Sequence, residues 1–213
     1  MNTDQLTEPQ QAHPDSPQPV IENPYASTKL ALDYLFAVFL LIPFLPIFSL
    51  VTLLIRLESR GPAIYRQRRV GQWGRLFTIY KFRTMKTGTP TLSTEEMQRQ
   101  QQKPFTRLGP LLRKTNLDEL PQLFNILKGE MSFIGPRPAL PSQTDVNALR
   151  AQLGADAARP GITGLAQVMG RDDLATPIKV KYDADYCHSM SLKHDLQILW
   201  RTIGAILTGR GNK

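Results

Sequence analysis

Apolar residues in this chain come in blocks whose spacing changes along its length, and each change predicts a different element. The longest block runs from Leu35 to Ile55 without one charged residue, long enough to cross a hydrocarbon core of about 30 Å. Helical pattern begins near Ser27 or Thr28, and Lys29 and Asp33, one turn apart, are spaced for an ion pair. Pro43 and Pro46 then fall inside the apolar block. Each removes a backbone donor and crowds the preceding turn, so together they predict a broken helix. Leu30–Leu45 and Ile47–Leu57 become arms of about 24 Å and about 16 Å at ~1.5 Å per residue, and neither spans easily alone. A re-entrant helix that enters and leaves by one face accounts for the break and for the flanking Lys29, Arg56 and Arg60. A kinked spanning helix with the N-terminal tail outside stays equally open.

Past Gly61 and Pro62 the period shortens. Ala63–Val70 and Leu76–Phe82 are short, β-branched and aromatic runs on either side of Gly71-Gln72-Trp73-Gly74, the pattern of a β-hairpin. Lys86–Lys103, rich in Thr and Gln, reads as a surface loop. Leu120, Leu123, Phe124 and Leu127 recur at i, i+3, i+4 and i+7 before Gly129, an amphipathic helix with a glycine stop. Leu192, Leu196, Leu199, Ile203 and Ile206 repeat that spacing beside Trp200, Arg201 and Arg210, predicting a helix that lies on a membrane surface.

Composition narrows the functional classes. Residues 1–28 hold four acids, no Lys or Arg, and five prolines; they cannot bury enough apolar surface to offset the entropy of ordering, so a disordered tail is expected. A single Cys187 rules out an intrachain disulfide framework and, with only three histidines, leaves no zinc cluster. The body is strongly basic, which fits nucleic acid, anionic lipid or a phosphorylated substrate. Nine basic residues lie between Arg56 and Lys86 against Glu58 alone, directly after the apolar block. That position favours anionic membrane lipids over nucleic acid.

The candidate chemistry lies in Arg113 through Leu123, followed by Gly135-Pro136-Arg137-Pro138. Asp118 and Glu119 are adjacent acids bracketed by arginines. A carboxylate approaches a phosphate only where cations screen the repulsion, so the pattern points to phosphoryl chemistry. Asn116-Leu117-Asp118-Glu119 is also the pattern of a capping box. Pro121 argues against that, and a helix starting there leaves both acids just ahead of its N-terminus. Arg159-Pro160-Gly161-Ile162-Thr163-Gly164 and Gly170-Arg171 form a second glycine-rich stretch with arginines, equally readable as turns.

Read in order, Tyr80-Lys81-Phe82-Arg83-Thr84-Met85, Leu117-Asp118-Glu119-Leu120-Pro121-Gln122-Leu123, Leu127-Lys128-Gly129-Glu130-Met131-Ser132, Ile134-Gly135-Pro136-Arg137-Pro138 and Arg159-Pro160-Gly161-Ile162-Thr163-Gly164 resemble the bacterial sugar transferase family, the monotopic phosphoglycosyl transferases. The resemblance covers about Lys29 to Leu207. It implies a mainly α fold with a small β-hairpin: a monotopic membrane protein with an N-terminal re-entrant, proline-broken helix over 29–58, amphipathic surface helices, and a cytosolic catalytic domain over 59–213 at the bacterial cytoplasmic membrane. The implied reaction moves a sugar-1-phosphate from a UDP-sugar to undecaprenyl phosphate, releasing UMP, with Mg2+ and a covalent aspartyl intermediate. By position Asp118 matches the nucleophile and a metal ligand, and Glu119 its acidic partner. Arg113 and Arg137 match phosphate-contacting arginines, with Lys81, Arg159 and Arg171 as further substrate contacts, and Pro46 the helix break beside Pro43. The chain departs from the family at Leu45 and Asn116, where serine is common, and at Leu165 and Met169, where Trp and Asn are frequent. Two rivals stay open: a non-catalytic lipid-bound recruiter and a hydrolase with water as acceptor. The sugar and any homo-oligomer are likewise open.

Overall fold

The computed structural model describes residues 23–89, 105–170 and 174–208. Helix α1 spans Tyr25–Glu58, beginning two to three residues ahead of the expected start. It is the one helix among the described residues long and apolar enough to cross a membrane. Pro43 and Pro46 lie inside α1, so the two expected arms are parts of one helical element, with the missing donors at their junction. Packing on both sides of the prolines offsets the two missing donors. Ala37, Leu40 and Leu41 lie against Phe77, Ile79, Leu123, Ile126 and Met131, while Val51 and Ile55 lie against Ala63, Phe82 and Leu112. Phe48 bridges them, 4.7 Å from Phe82 and 5.6 Å from Phe124, ring centre to ring centre.

The Lys29–Asp33 pair is corrected. Lys29 reaches Asp195 at 2.6 Å, while Asp33 accepts from Ser132 Oγ at 3.1 Å and the Phe133 amide at 3.3 Å and lies 3.5 Å from Arg159. Both residues are buried, and partners across the fold outcompete the neighbour one turn away.

Strands β1 (Ile64–Val70) and β2 (Leu76–Phe82) form the antiparallel hairpin, with Tyr65 opposite Lys81, Gln67 opposite Ile79 and Arg69 opposite Phe77. Trp73 turns the chain in the left-handed region at φ 55°. Helix α2 (Gly109–Lys114), a 3-10 turn (Leu117–Glu119) and α3 (Gln122–Leu127) follow. Strand β3 (Ser132–Ile134) pairs in parallel with β4 (Gly161–Thr163). Between them lies α4 (Thr144–Gln152), and α5 (Leu165–Met169), α6 (Thr176–Ser189) and α7 (Leu192–Leu207) complete the chain. Tyr186, Cys187 and Ile198 bury against Ile134 and Ala158.

Two helices leave apolar surface uncovered. On α1, Leu35, Phe36, Phe39, Ile42, Leu50 and Leu53 are exposed, and on α7 so are Leu192, Leu196, Leu199, Trp200, Ile203 and Ile206. These residues mark the side of the molecule suited to a lipid phase.

Candidate active site

The acid pair sits on a short, forced turn. Asn116 takes φ 55° between α2 and the 3-10 turn, a conformation asparagine tolerates better than most residues. Its side chain makes no cap bond, so the capping-box pattern does not describe this segment. Pro121 instead stands as the cap of α3, with Asp118 and Glu119 just before it.

Being adjacent, the acids face different ways. Glu119 Oε1 accepts from Lys81 Nζ at 2.6 Å and from Arg137 at 3.4 Å. Burial alone would raise the Glu119 carboxyl, but Lys81 and Arg137 outweigh it and hold its pKa at about 2. Glu119 is therefore an ionised anchor for two cations at neutral pH and a poor proton acceptor. Asp118 is buried, 7% exposed. Burial pushes its carboxyl above the ordinary range and Glu119 adds to the rise, while Lys81, Arg113 and Arg137 oppose it. Among the described residues its carboxylate holds no hydrogen bond.

Asp118 lines a cavity of about 900 Å3 whose walls carry ten basic residues and no other acid. The hairpin's alternation builds one wall: Tyr65, Gln67, Arg69 and Lys81 share a face. Arg69 is held by Gln67 and the Pro138 carbonyl, and burial, with Arg137 nearby, lowers its pKa to about 10. Arg113, at the end of α2, stacks over Phe105 at 5.0 Å and lines the cavity beside Asp118. Arg83 donates to the carbonyls of Ser59 and Arg60, tying the end of α1 to the same wall.

Arg137 is placed by glycines. A Cβ at Gly161 would meet the Gly135 nitrogen at 2.1 Å, and one at Gly164 the Gly135 oxygen at 2.1 Å. Backbone thus packs on backbone, and the Gly135 amide donates to the Thr163 carbonyl while the Gly161 amide donates to that of Pro136. The second glycine-rich stretch is a buttress for the Pro136-Arg137-Pro138 turn.

Of the expected site residues, Asp118, Glu119, Arg113, Arg137 and Lys81 come together. Arg159 does not: its guanidinium turns to Asp33 and reaches neither cavity described here. Arg171 lies outside the described residues, as do most of Lys86–Lys103, Arg210 and nearly all of the N-terminal tail. Of the basic run from Arg56 to Lys86, Arg56, Arg66, Arg69, Lys81, Arg83 and Lys86 line the cavity. Reasoning from sequence missed Arg150 and Lys179, which α4 and α6 bring to the same walls. The one available signal was the charge pattern of those helices, since Arg150 pairs with the buried Asp183 at 2.6 Å.

Among the described residues no group of three or more His, Cys, Asp or Glu could hold a metal ion. Asp118 is the single carboxylate available to a cation in the large cavity. That donor set suits Mg2+, which keeps most of its ligands as water and substrate phosphate oxygens and needs one or two carboxylates.

The family model for bacterial sugar transferases matches residues 24–209. A UDP-N-acetylgalactosamine-undecaprenyl-phosphate N-acetylgalactosaminephosphotransferase of Aeromonas hydrophila is 40% identical over 88% of this chain and 45% of its own length. A UDP-glucose:undecaprenyl-phosphate glucose-1-phosphate transferase of Caulobacter vibrioides is 40% identical, covering 84% of this chain and 70% of its own. The exopolysaccharide production protein ExoY of Sinorhizobium fredii is 36% identical over 87% of this chain and 88% of its own length. The chain thus spans less than half of the Aeromonas relative and most of the ExoY protein.

Proposed function

The chain belongs to the bacterial sugar transferase family, and from that premise we propose that it transfers a sugar-1-phosphate from a UDP-sugar to undecaprenyl phosphate, with release of UMP, in the assembly of a surface polysaccharide. The observation that carries this reading is Asp118, the one acid in a cavity of about 900 Å3 lined by ten basic residues. A diphosphate needs that density of cation, and a nucleophile needs that one carboxylate.

The steps follow from the walls. Arg113 and Arg137 grip oxygens of the donor diphosphate, and bidentate guanidinium contact fixes the phosphorus in front of Asp118. A carboxylate oxygen of Asp118 attacks the β-phosphorus, the bond to the bridging oxygen breaks, and UMP leaves with that electron pair. An oxygen of the lipid phosphate then attacks the aspartyl phospho-sugar, and Asp118 departs as carboxylate. Covalent catalysis divides one hard displacement into two easier ones. Mg2+, held by Asp118 and substrate oxygens, neutralises diphosphate charge when bound. Glu119 keeps Lys81 and Arg137 in place.

The same reading covers the membrane. Both ends of α1 hold the catalytic domain: Asn23 and Lys29 reach Met190 and Asp195 at one end, and Glu58 accepts from the Arg107 and Leu108 amides at the other. Two ends bound to one domain support a helix that enters and leaves the bilayer by the same face, with the domain on the cytosolic side of the inner membrane and its basic rim near anionic lipid. The test is UMP release from a panel of UDP-sugars by membranes carrying the protein, with Asp118→Asn as control. Release from one or a few donors, absent in the variant, is expected. Release from none, or undiminished release in the variant, would overturn the proposal.

A further inference from the structure

Glu119, which does not line the large cavity, lines a second one of about 380 Å3. Leu40 and Phe44 of α1 and Ile206 of α7 belong to its lining, from the two helices whose outer faces are exposed and apolar. Leu123, Phe133 and Ile162 continue the apolar lining inward. The same lining carries Glu119, Arg137, Arg150, Lys179 and Asp183, with Arg150 paired to Asp183 at 2.6 Å. The two cavities are not interchangeable: Asp118 lines only the large one and Glu119 only this cleft, while Arg137, Arg150 and Lys179 line both.

A cleft that is apolar where α1 and α7 contribute Leu40, Phe44 and Ile206, and that elsewhere carries three cations against two carboxylates already paired, matches an amphiphile with an apolar chain and an anionic head. Water-soluble nucleotide sugar has no use for Leu40, Phe44 and Ile206. Resting on the transfer reading above, we infer that the cleft between α1 and α7 is the separate entry of the lipid phosphate acceptor. Its first isoprenoid carbons lie along Leu40, Phe44 and Ile206, and its phosphate is delivered to Arg137, Arg150 and Lys179. The donor enters by the large cavity. In-line attack on the aspartyl phospho-sugar must come from the side that UMP left, and the shared cations are where a phosphate arriving through the cleft meets that position. Glu119, already neutralised by Lys81 and Arg137, borders the path without repelling the incoming phosphate.

Ile206→Trp fills the cleft on its α7 side, and Leu207→Trp adds the same indole one residue away at a position that is 81% exposed and lines neither cavity. Leu40→Trp blocks the opposite wall and serves if the first variant folds poorly. Each is assayed for UMP release from UDP-sugar without acceptor and for transfer to undecaprenyl phosphate in detergent micelles. The two blocking variants should keep wild-type UMP release and lose about tenfold or more in kcat/KM for undecaprenyl phosphate, with Leu207→Trp unchanged. Unaltered acceptor kinetics in both blocking variants would overturn the inference, as would an equal loss of acceptor-free UMP release, which would place the donor in the cleft. If the wild-type protein releases no UMP without acceptor, the aspartyl step fails. The cleft is then still decided by whether KM changes for the lipid and not for the nucleotide sugar.

Discussion

Asp118 and Glu119 are chemically near-identical and one bond apart in the chain, yet their surroundings assign them opposite tasks. Glu119 is matched by Lys81 at 2.6 Å and stays ionised. Asp118 faces open cavity, and burial raises its pKa. The nucleophile must be a carboxylate, so donor kcat/KM should fall with decreasing pH through a midpoint above the ordinary carboxylate value of 3.8. Lys81 is the largest influence lowering the Asp118 pKa, so Lys81→Met should move that acid limb to higher pH, checked by a pH-rate profile of both proteins. An unmoved limb would separate Asp118 from the pH dependence. Lys81→Met also leaves Glu119 with one partner, at 3.4 Å, and should cost about 3 kcal/mol of stability at neutral pH. Adding Glu119→Gln should restore part of the loss, because the uncompensated charge is gone. Thermal unfolding of the two single variants and the double variant in one detergent reads this cycle. The linkage has a definite sign: Glu119's folded pKa is depressed, so its contribution is complete above its unfolded value of 4.5 and is lost as pH falls toward about 2.

At the scale of elements, the parallel pair β3 and β4 sets Arg137. Gly161→Ala puts a methyl group 2.1 Å from the Gly135 nitrogen, and the backbone must shift to admit it. Transfer should fall at least tenfold while the protein still fractionates with membranes, since α1 is untouched. Wild-type rates would show that the buttress does not place Arg137. This pair was not legible in the sequence. Each strand is three residues long, too short for a period, and the glycines that join them read equally well as turns. The hairpin was legible because Ala63–Val70 and Leu76–Phe82 are short runs with aromatic and β-branched residues on either side of a glycine-bounded turn. Helix α1 was legible in position: prolines report the lost donors, and only the tertiary contacts of Ala37, Phe48 and Val51 show what packs on either side of them. The partner of Arg159 was not legible for a related reason, since an arginine beside a glycine-rich loop suits a phosphate or a buried Asp33 equally well until the fold brings α1 alongside. Arg150 and Lys179 come from helices whose sequence carries no phosphate-binding pattern.

For the whole molecule, the exposed apolar residues of α1 and α7 suit a lipid phase, α1 contributes to the lining of both cavities, and the basic hairpin lines the larger one. If both ends of α1 share the side of the domain, a cysteine introduced at Ser16 in a Cys187→Ser background is reached by an impermeant thiol reagent only after the cytoplasmic membrane is opened. Labelling in intact spheroplasts would establish a spanning helix instead. The central claim is that Asp118 carries the sugar phosphate between two substrates, and it is tested most directly by supplying UDP-sugar and Mg2+ without any lipid acceptor. Transfer through Asp118 gives a burst of UMP approaching about one equivalent per active site, a mass increase on the peptide containing Asp118 equal to the phospho-sugar, and loss of both in Asp118→Asn. UMP that forms only when undecaprenyl phosphate is present, with no adduct on that peptide, would contradict it and leave direct transfer between the two bound substrates.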